Sequence, residues 1–444
     1  MKRILSLLLT VLLFAACVPT PEVTEYRKEE DTVDFEQTVS AIPESFERTE
    51  TLSDGIRLVV RAKVIRPDAP LSVGTVTRTP FDTKTAERIC KVLWGEAPIY
   101  EYFESKRELA EYILTCREQM EAAKDALSES ELADLASMLN DMEAALPKLP
   151  DEGTPASYEK LFDYDNGFVM VDTGKPRMAM FQARADSRNI LSFMDLGFRK
   201  HLIEEIEPLR VSEEDAVRQA EEILKQLGLE DRFAVVKTGV HPINHTLVDT
   251  MLDSKGYRFP QRHERRYVIF MRKIGDAKQV YSEQIQYGST DGGYEEAVFW
   301  ETMEFQFDND GLVGFYWQEP GDVNVGQSNV SVIDLDTAYR AMTDWLKASQ
   351  NKYTYEDYGV LPGQITILVD RIELGMSCIL GKDRTIEIVP VWEFFGEIEY
   401  CDASGNVHYI SLLQHSVTDE TRGCNSICTI NALTGKRIDR GLGY

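Results

Sequence analysis

Apolar residues occupy every second position from residue 56 to residue 64 of this chain, with mainly polar residues between them. A period of two is typical of a half-buried β-strand. A second strand is predicted over residues 71–77. The chain therefore begins its first sheet here.

Three later stretches have apolar residues at spacings of three and four, which predicts amphipathic helices over residues 83–94, 105–123 and 128–146. Ser105 and Ser128 open the second and third helices as the first residues of Ser-x-x-Glu capping boxes. The second and third helices are predicted to form a helical hairpin. Its stripe of Leu and Met is typical of packing rather than of a ligand site.

The second half of the chain repeats one pattern at an offset of 122 residues. Residues 211–225 (VSEEDAVRQAEEILK) and 333–347 (IDLDTAYRAMTDWLK) are both predicted to be amphipathic helices with polar N-caps. At the same offset, residues 267–272 (YVIFMR) fall opposite residues 389–394 (VPVWEF). The segments FQFDNDGLVGF and ICTINALTGKRI lie nearly in phase and predict a closing hairpin in each copy. Three such matches indicate an internal duplication.

The order of elements in each copy resembles the PepSY-type module, with a helix like EDAVRQAEEIL, a central strand like YVIFM and a last strand pair like INALTGKRI. The second copy, VPVWEFF followed by INALTG, is also similar to the extracytoplasmic YycH/YycI-type regulators of Gram-positive bacteria. Members of these families mostly lack catalytic residues and act as binding, inhibitory or regulatory domains. The resemblance, over residues 211–444, therefore implies a non-enzymatic role.

The N-terminus has two basic residues, an apolar run over residues 4–16 and then Cys17, preceded by small residues. The run is short for a membrane span and is typical of a secretory signal. It resembles the lipobox of bacterial lipoproteins, which implies that Cys17 carries a diacylglyceryl group and becomes the mature N-terminus. The resemblance implies a lipid anchor on the extracytoplasmic face of the cell membrane. A buried N-terminal helix with an ordinary core cysteine is the alternative.

These patterns predict an α+β fold, with helices packed on antiparallel sheets and a duplicated helix-plus-antiparallel-sheet unit in the C-terminal half. Residues 18–45 are rich in Pro, Thr, Glu and Asp, which predicts a flexible tether. We divide the chain into a lipoprotein signal peptide (1–17), this tether (18–45), an N-terminal α+β domain with the helical hairpin (46–208), a first PepSY-like module (209–330) and a second PepSY-like module (331–444).

The formal net charge is −27 at pH 7, from 48 Lys and Arg and 75 Asp and Glu. Such a chain is repelled by nucleic acid and by anionic lipid head groups. We therefore expect no nucleic-acid partner. We also expect the lipid on Cys17 to enter the membrane while the folded part of the chain remains away from the membrane surface.

Six cysteines follow Cys17, and an even number in an exported chain permits disulfides without specifying them. The spacing of Cys424 and Cys428 would suit half of a zinc site. The nearest further candidates, Cys401 and His415, have no metal-site spacing. We predict disulfides or free thiols rather than a metal, and simple core positions for Cys90 and Cys116, which lie on consecutive predicted helices.

Two other groups of metal-ligating residues occur in the sequence. Asp163, Asp165 and Gly167 have the spacing that opens a calcium loop, but the later ligands are missing, which predicts an acidic turn. His241 and His245 are separated by a proline and share no helical face. We therefore predict neither a metal nor a cofactor.

One region combines acidic and aromatic residues as a glycosidase cleft would. It contains Tyr294, Glu295, Glu296, Trp300, Glu301 and Glu304. The alternation over residues 298–303 is, however, typical of an amphipathic strand, and carboxylates near a tryptophan are common in a chain with 75 acidic residues. We expect no catalytic residue. We also expect Trp392, within the apolar run VPVWEFF, to be a core residue rather than a sugar platform.

The sequence thus predicts a non-catalytic, surface-anchored lipoprotein that binds a peptide or an envelope protein in a regulatory or inhibitory role. A free edge strand would serve as the docking site. Two alternatives remain open, an extracellular hydrolase of glycosidase type and a solute-binding lipoprotein with an interdomain cleft. A deep pocket with converging carboxylates would favour the hydrolase.

Overall fold

The computed structural model describes fourteen stretches of the chain. They are residues 34–53, 56–101, 106–150, 153–162, 168–172, 176–183, 189–195, 208–242, 264–282, 300–348, 365–381, 385–401, 407–410 and 426–439. No helix in these stretches is long and apolar enough to cross a membrane.

Six α-helices occur in the described stretches. They are α1 (Phe35–Ala41), α2 (Thr83–Trp94), α3 (Lys106–Ala122), α4 (Glu129–Ala145), α5 (Glu213–Gln226) and α6 (Leu335–Ala348). All but α1 were predicted. The capping box of α4 is present, because Glu131 N donates to Ser128 Oγ at 3.3 Å and Ser128 N donates to Glu131 Oε2 at 2.9 Å. Ser105, the predicted capping residue of α3, lies outside the described residues.

Helix α1 lies within the segment that was predicted to be a flexible tether. Asp34 caps it by accepting a hydrogen bond from Glu36 N at 3.1 Å. Ile42, which follows the helix, is buried, and its carbonyl accepts a 2.9 Å hydrogen bond from Arg66 Nε. The tether prediction is therefore wrong for residues 35–45. Burial of Ile42 and the bond from Arg66 hold a segment whose composition is otherwise typical of a linker.

Seventeen strands complete the described structure. They are β1 (Ser45–Ser53), β2 (Ile56–Ile65), β3 (Ser72–Arg78), β4 (Ile99–Glu101), β5 (Phe168–Asp172), β6 (Pro176–Ala183), β7 (Asn189–Asp195), β8 (Phe233–Pro242), β9 (Glu264–Arg272), β10 (Thr302–Asp308), β11 (Gly311–Gln318), β12 (Gly321–Ser328), β13 (Ile365–Leu380), β14 (Ile386–Cys401), β15 (Val407–Ile410), β16 (Ser426–Asn431) and β17 (Arg437–Ile438).

The strands form two large sheets. A nine-stranded sheet has the order β1-β2-β13-β14-β16-β17, with β3 and β15 also paired to β14 and β12 paired to β3. An eight-stranded sheet has the order β4-β5-β6-β7-β11-β10-β9-β8. All of these pairs are antiparallel except β2 with β13, which run parallel from Ile56 beside Ile365 to Ile65 beside Glu373. The fold is α+β, as predicted.

The sheets combine strands from different predicted domains. Strands β1 to β3 of the predicted N-terminal domain pair within the sheet of the second module, and β4 to β7 pair within the sheet of the first. The segment 46–208 therefore does not form a sheet of its own. Three of its strands pair with later ones, because β2 pairs with β13, β3 with β12 and β14, and β7 with β11.

The two predicted copies have the same order of elements. Helices α5 and α6 have bounds that differ by 122 residues at both ends, and β9 and β14 begin at the same offset. Each helix is followed by a run of antiparallel neighbours, β8-β9-β10-β11 in one copy and β13-β14-β16-β17 in the other. Leu224 and Leu346 are both buried, as are Phe270 and Trp392 at the second pair of equivalent positions. The duplicated helix-plus-sheet unit is therefore present.

The eight-stranded sheet is buried on both faces along β9. Val268 and Phe270 pack in one core with residues of α2 and α5. Tyr267, Ile269 and Met271, which alternate with them, belong to the core of the nine-stranded sheet, which also contains residues of α6. The period of two along β9 thus joins the two sheets through a shared core.

The helical hairpin of α3 and α4 has a core of its own. Leu109, Ile113 and Cys116 of α3 are buried against Leu135 and Leu139 of α4. These are the apolar stripes that the sequence predicted. They fill the hairpin with packed side chains.

Candidate functional site

The acid-rich aromatic region lies partly outside the described residues, which resume at Trp300. Tyr294, Glu295 and Glu296 fall in the part that is not described. Trp300 and Glu301 are buried, and β10 begins only after them, at Thr302. An amphipathic strand over residues 298–303 would expose one of these side chains. The predicted strand is therefore wrong for Trp300 and Glu301.

Glu301 is held by three donors inside the protein. Its Oε2 accepts a 3.2 Å hydrogen bond from Arg272 Nη1 and a 3.4 Å hydrogen bond from Gly321 N. Its Oε1 accepts from Trp317 Nε1 at 3.1 Å. Burial raises the pKa of Glu301 to about 7, and the positive charge of Arg272 opposes this shift.

The position of Glu301 assigns it a structural task. It contacts Trp317 near the end of β11 and Gly321 at the start of β12, where the chain leaves one sheet for the other. Glu319, between these two strands, has a left-handed backbone with φ of 52°. The adjacent cavity measures about 20 Å³, room for one water molecule and not for a sugar ring.

Trp392 is a core residue, as the sequence predicted. Its side chain is 1% exposed, and its Nε1 donates a 2.9 Å hydrogen bond to the carbonyl oxygen of Ile333. Both its ring and its polar atom are therefore used inside the protein. It offers no face for stacking a sugar.

Four of the described cysteines are buried thiols that form no disulfide. They are Cys90, Cys116, Cys378 and Cys428. Burial raises the pKa of Cys90 to about 12, which keeps the thiol protonated and unreactive. The described residues contain no group of three or more His, Cys, Asp and Glu that could hold a metal ion.

Several residues that the sequence singled out fall outside the described structure. They are Cys17, Asp163, Asp165, Gly167, His245, His415 and Cys424. The predictions made for them stay predictions. Cys401 ends β14, and His241 lies near the end of β8.

Strand β8 is the end strand of the eight-stranded sheet. It pairs with β9 along its inner edge, from Phe233 beside Arg272 to Pro242 beside Glu264. No described strand pairs with its outer edge. The register shifts between Val235 and Lys237, as a β-bulge would make it, and Val236 has no partner on β9.

A groove of about 370 Å³ opens beside this register shift. It lies where the neighbour of β13 changes, because β2 pairs with β13 only as far as Ile65. Beyond that point Met376 of β13 accepts a hydrogen bond from Val280 N at 2.9 Å and donates one to Lys278 O at 3.3 Å. The groove occupies the gap between these two neighbours, and its wall on the β8 side is made by Val235 and Val236.

The groove is rich in cations for a protein this acidic. Arg66, Lys278 and Arg371 line it, together with the carboxylates of Asp68 and Glu373. Lys278 Nζ lies 3.6 Å from Asp68 Oδ2, and Arg371 Nη1 lies 3.7 Å from Glu373 Oε2. The Lys278–Asp68 pair joins two segments of the groove wall, whereas Arg371 and Glu373 both belong to β13.

A further cation, Lys237, stands on β8 beside the groove. Its Nζ lies 5.7 Å from the ring centroid of Tyr281, which lines the groove, and 5.8 Å from that of Tyr267. The Tyr267 ring also stacks on His241, with centroids 4.1 Å apart. Gly239 permits this arrangement, because a Cβ there would lie 2.4 Å from the Tyr267 hydroxyl oxygen.

Sequence reasoning predicted a free edge strand without saying which strand it would be. The groove combines segments near residues 66, 236, 278 and 373, which are far apart in sequence and of which only those near 66 and 278 are neighbours of β13 through backbone pairing. The alternation of Lys237, Gly239 and His241 is the one local signal. It could have identified a strand with a polar face.

Comparison with known proteins gives one distant structural likeness and no family. No family model matches the sequence, and no curated protein matches it. One solved structure that resembles it is an uncharacterized protein from Eubacterium rectale, with a TM-score of 0.44 and 10% sequence identity. The alignment covers 92% of this chain and 99% of that one. A likeness of this degree assigns no function.

Proposed function

We propose that this chain is a non-catalytic lipoprotein, anchored through Cys17 on the extracytoplasmic face of the cell membrane, that binds an extended segment of a peptide or envelope protein. The docking site is the outer edge of β8 with the adjoining groove. The observation that carries the proposal is this edge of the ten-residue strand β8, which no described strand covers, beside a groove of about 370 Å³.

An edge strand binds an extended peptide through its backbone. Its outward N–H and C=O groups supply the affinity, and pockets for alternate side chains supply the specificity. The groove at Val235 and Val236 would take one such side chain. Lys237 and the register shift discourage unselective pairing with another copy of the same edge. The edge is therefore suited to a matched partner.

The described carboxylates support a non-catalytic role. Glu301 is enclosed beside a cavity of about 20 Å³, so no polymer reaches it. In the groove, Asp68 faces Lys278 and Glu373 faces Arg371. A glycosidase needs two carboxylates on either side of a bond in an open cleft. The groove instead presents ion-paired acids next to a strand edge.

Selection of displayed random peptides on the full chain, kept in detergent, tests this proposal. Backbone amides of β8 should exchange more slowly with solvent when a selected peptide is bound. N-methylation of alternate peptide bonds should abolish binding, because it removes backbone donors and keeps the side chains. Protection only at other strands, or binding that is indifferent to N-methylation, would contradict docking at β8. Turnover of wall polysaccharides by the same preparation would favour the hydrolase.

A further inference from the structure

We infer that Arg272 and Glu301 are positioning residues for the docking site, because their buried ion pair holds the start of β8 and one side of the groove in place. This inference rests on the proposed docking function and adds its regulation, since the affinity for a peptide then depends on the charge of Glu301. Neither residue is among those that line the groove. The pair acts through two sets of contacts, one with each part of the docking site.

The first contacts connect the ion pair with β8. Arg272 lies opposite Phe233, the first residue of β8, and its guanidinium carbon is 5.8 Å from the centroid of the Phe233 ring. A guanidinium is attracted to the face of an aromatic ring. Trp317, whose Nε1 donates to Glu301, packs edge-on against the same ring, with centroids 6.4 Å apart. Phe233 therefore contacts a partner of each charge, two residues before Val235 in the groove wall.

The second contact connects the ion pair with the groove through Gln279. This residue lines the groove, and it also lines the small cavity beside Glu301. Its side chain is buried, and its Nε2 donates a 2.7 Å hydrogen bond to the carbonyl oxygen of Arg272. Its Oε1 accepts from Cys378 Sγ at 3.6 Å. Gln279 is therefore fixed between the docking groove and the ion pair.

The ion pair depends on the charge of Glu301. Arg272 Nη1 lies 3.2 Å from Glu301 Oε2, and the two side chains are 10% and 5% exposed. When Glu301 binds a proton, the guanidinium keeps its charge and loses its counter-charge in a buried place, which is costly. The guanidinium then gains by moving toward solvent, away from the Phe233 ring. The ionised pair therefore favours the arrangement that docks a peptide.

Other charged groups also face the pair, and these are Arg78, Arg232, Glu319 and Asp322. Arg78 Nε lies 3.5 Å from Glu319 Oε2, so these two form a second ion pair. Burial raises the pKa of Glu301 to about 7, and the charges of Arg272 and Arg232 oppose this shift. The change in the charge of Glu301 therefore occurs near neutral pH.

Peptides without ionisable groups test this inference on the full chain, kept in detergent. They are selected from a display library restricted to uncharged side chains, are acetylated and amidated, and are chosen because they protect the amides of β8. Fluorescence anisotropy measures their affinities across neutral pH. Binding should be about fivefold tighter at about pH 8.5 than at about pH 5.5, a common size for coupling between two sites.

Glu301→Gln keeps the side chain neutral and should bind weakly throughout, with a change of less than about twofold over the same pH range. His241→Gln controls for titration on β8 itself, and its affinity should still change with pH. Glu221→Gln, at an exposed position on α5, should behave as the original protein. Circular dichroism checks that each variant is folded.

The unmodified protein provides a second measurement. Coupling between two sites is reciprocal, so if ionised Glu301 favours binding, then binding near neutral pH must release part of a proton. Calorimetry in two buffers with different ionisation enthalpies measures this release. An ion pair that served only the stability of the fold would release none.

Affinity that does not change with pH, or a change that survives in Glu301→Gln, would overturn the inference. Uptake of protons on binding would overturn it as well, because it reverses the predicted sign. Each of these results leaves docking at β8 intact, since a peptide is bound. Absence of any peptide that protects β8 would instead remove the proposed function, and this inference with it.

Discussion

The indole Nε1 of Trp392 donates a 2.9 Å hydrogen bond to the carbonyl oxygen of Ile333. Ile333 stands just before the N-cap residue of α6, Asp334, whose Oδ1 accepts a hydrogen bond from Thr337 N at 2.7 Å. The central strand of the second module thus fixes the start of its helix. This contact joins β14 to α6, the strand and the helix that correspond to β9 and α5 in the first copy.

Trp392→Ala should lower the free energy of unfolding by about 3–5 kcal/mol, the range for emptied aromatic core sites. The loss comes from the buried ring, which is 1% exposed, and from the carbonyl of Ile333 left without its donor. Trp392→Phe keeps an aromatic ring and should cost less. Chemical denaturation measures both, and an alanine variant within about 1 kcal/mol of the original protein would contradict the assignment.

The buried carboxyl of Glu301 predicts a specific dependence of stability on pH. Its pKa is about 7 in the folded protein, against an ordinary value of 4.5. The folded state therefore binds the proton more tightly. Between these two pH values the free energy of unfolding should fall as pH rises, by about 3 kcal/mol in total from this group.

Glu301→Gln isolates this effect from the titration of the other acids. The unfolding free energy of the original protein minus that of the variant should fall by about 3 kcal/mol from pH 4.5 to pH 8. Glu221→Gln, an exposed position on α5, is the matched control and should show a constant difference within about 0.5 kcal/mol. A constant difference for Glu301→Gln as well would disprove the raised pKa.

Gly396 predicts a severe local effect of a single methyl group. A Cβ there would lie 1.7 Å from the carbonyl oxygen of Leu368, on the neighbouring strand β13. Gly396→Ala should therefore force β13 and β14 apart and destabilise the protein by more than about 3 kcal/mol. At Gly326 the nearest atom would be 3.4 Å away, so Gly326→Ala should be tolerated. Thermal unfolding of the two variants compares them, and similar midpoints would refute the close approach.

The lipid anchor makes a prediction that needs no structure. Cys17→Ala should abolish labelling of the protein by radioactive fatty acid, because the proposed thioether has no other attachment point. The variant should be released outside the cell or retained with its signal attached. Cys428→Ala, at a buried thiol, should label normally and controls for loss of a cysteine as such. Labelling that survives the change at Cys17 would exclude the anchor.

Local signals in the sequence predicted local structure well. The spacing of apolar residues located α2 to α6, and the Ser-x-x-Glu box at Ser128 located the start of α4. The 122-residue offset located equivalent helices because both copies repeat the same amphipathic period. Each of these signals depends on residues that are close in sequence, and their physical cause is equally local.

The pairing of strands that are far apart in sequence could not be predicted in the same way. Nothing in the alternation at residues 56–64 indicates that β2 would pair with β13, since an apolar alternation fits many neighbours. The groove beside β8 depends on that pairing and was equally hidden. The acidic and aromatic neighbours of Glu301 in sequence indicated a possible cleft. Its burial depends instead on the chain crossing between the sheets at Gly321.

The parallel pairing of Ile56 with Ile365 affects how the protein folds during its synthesis. As the chain is synthesised, β4 to β11 can pair with one another while they emerge, but the hairpin of β1 and β2 must wait for β13. Closing the long loop between β2 and β13 is slow. Until it closes, the unpaired edge of β2 can pair with other chains. A product cut short after β12 would carry that edge permanently. We expect such fragments to aggregate, and the final hundred residues to decide whether the first hundred stay in solution.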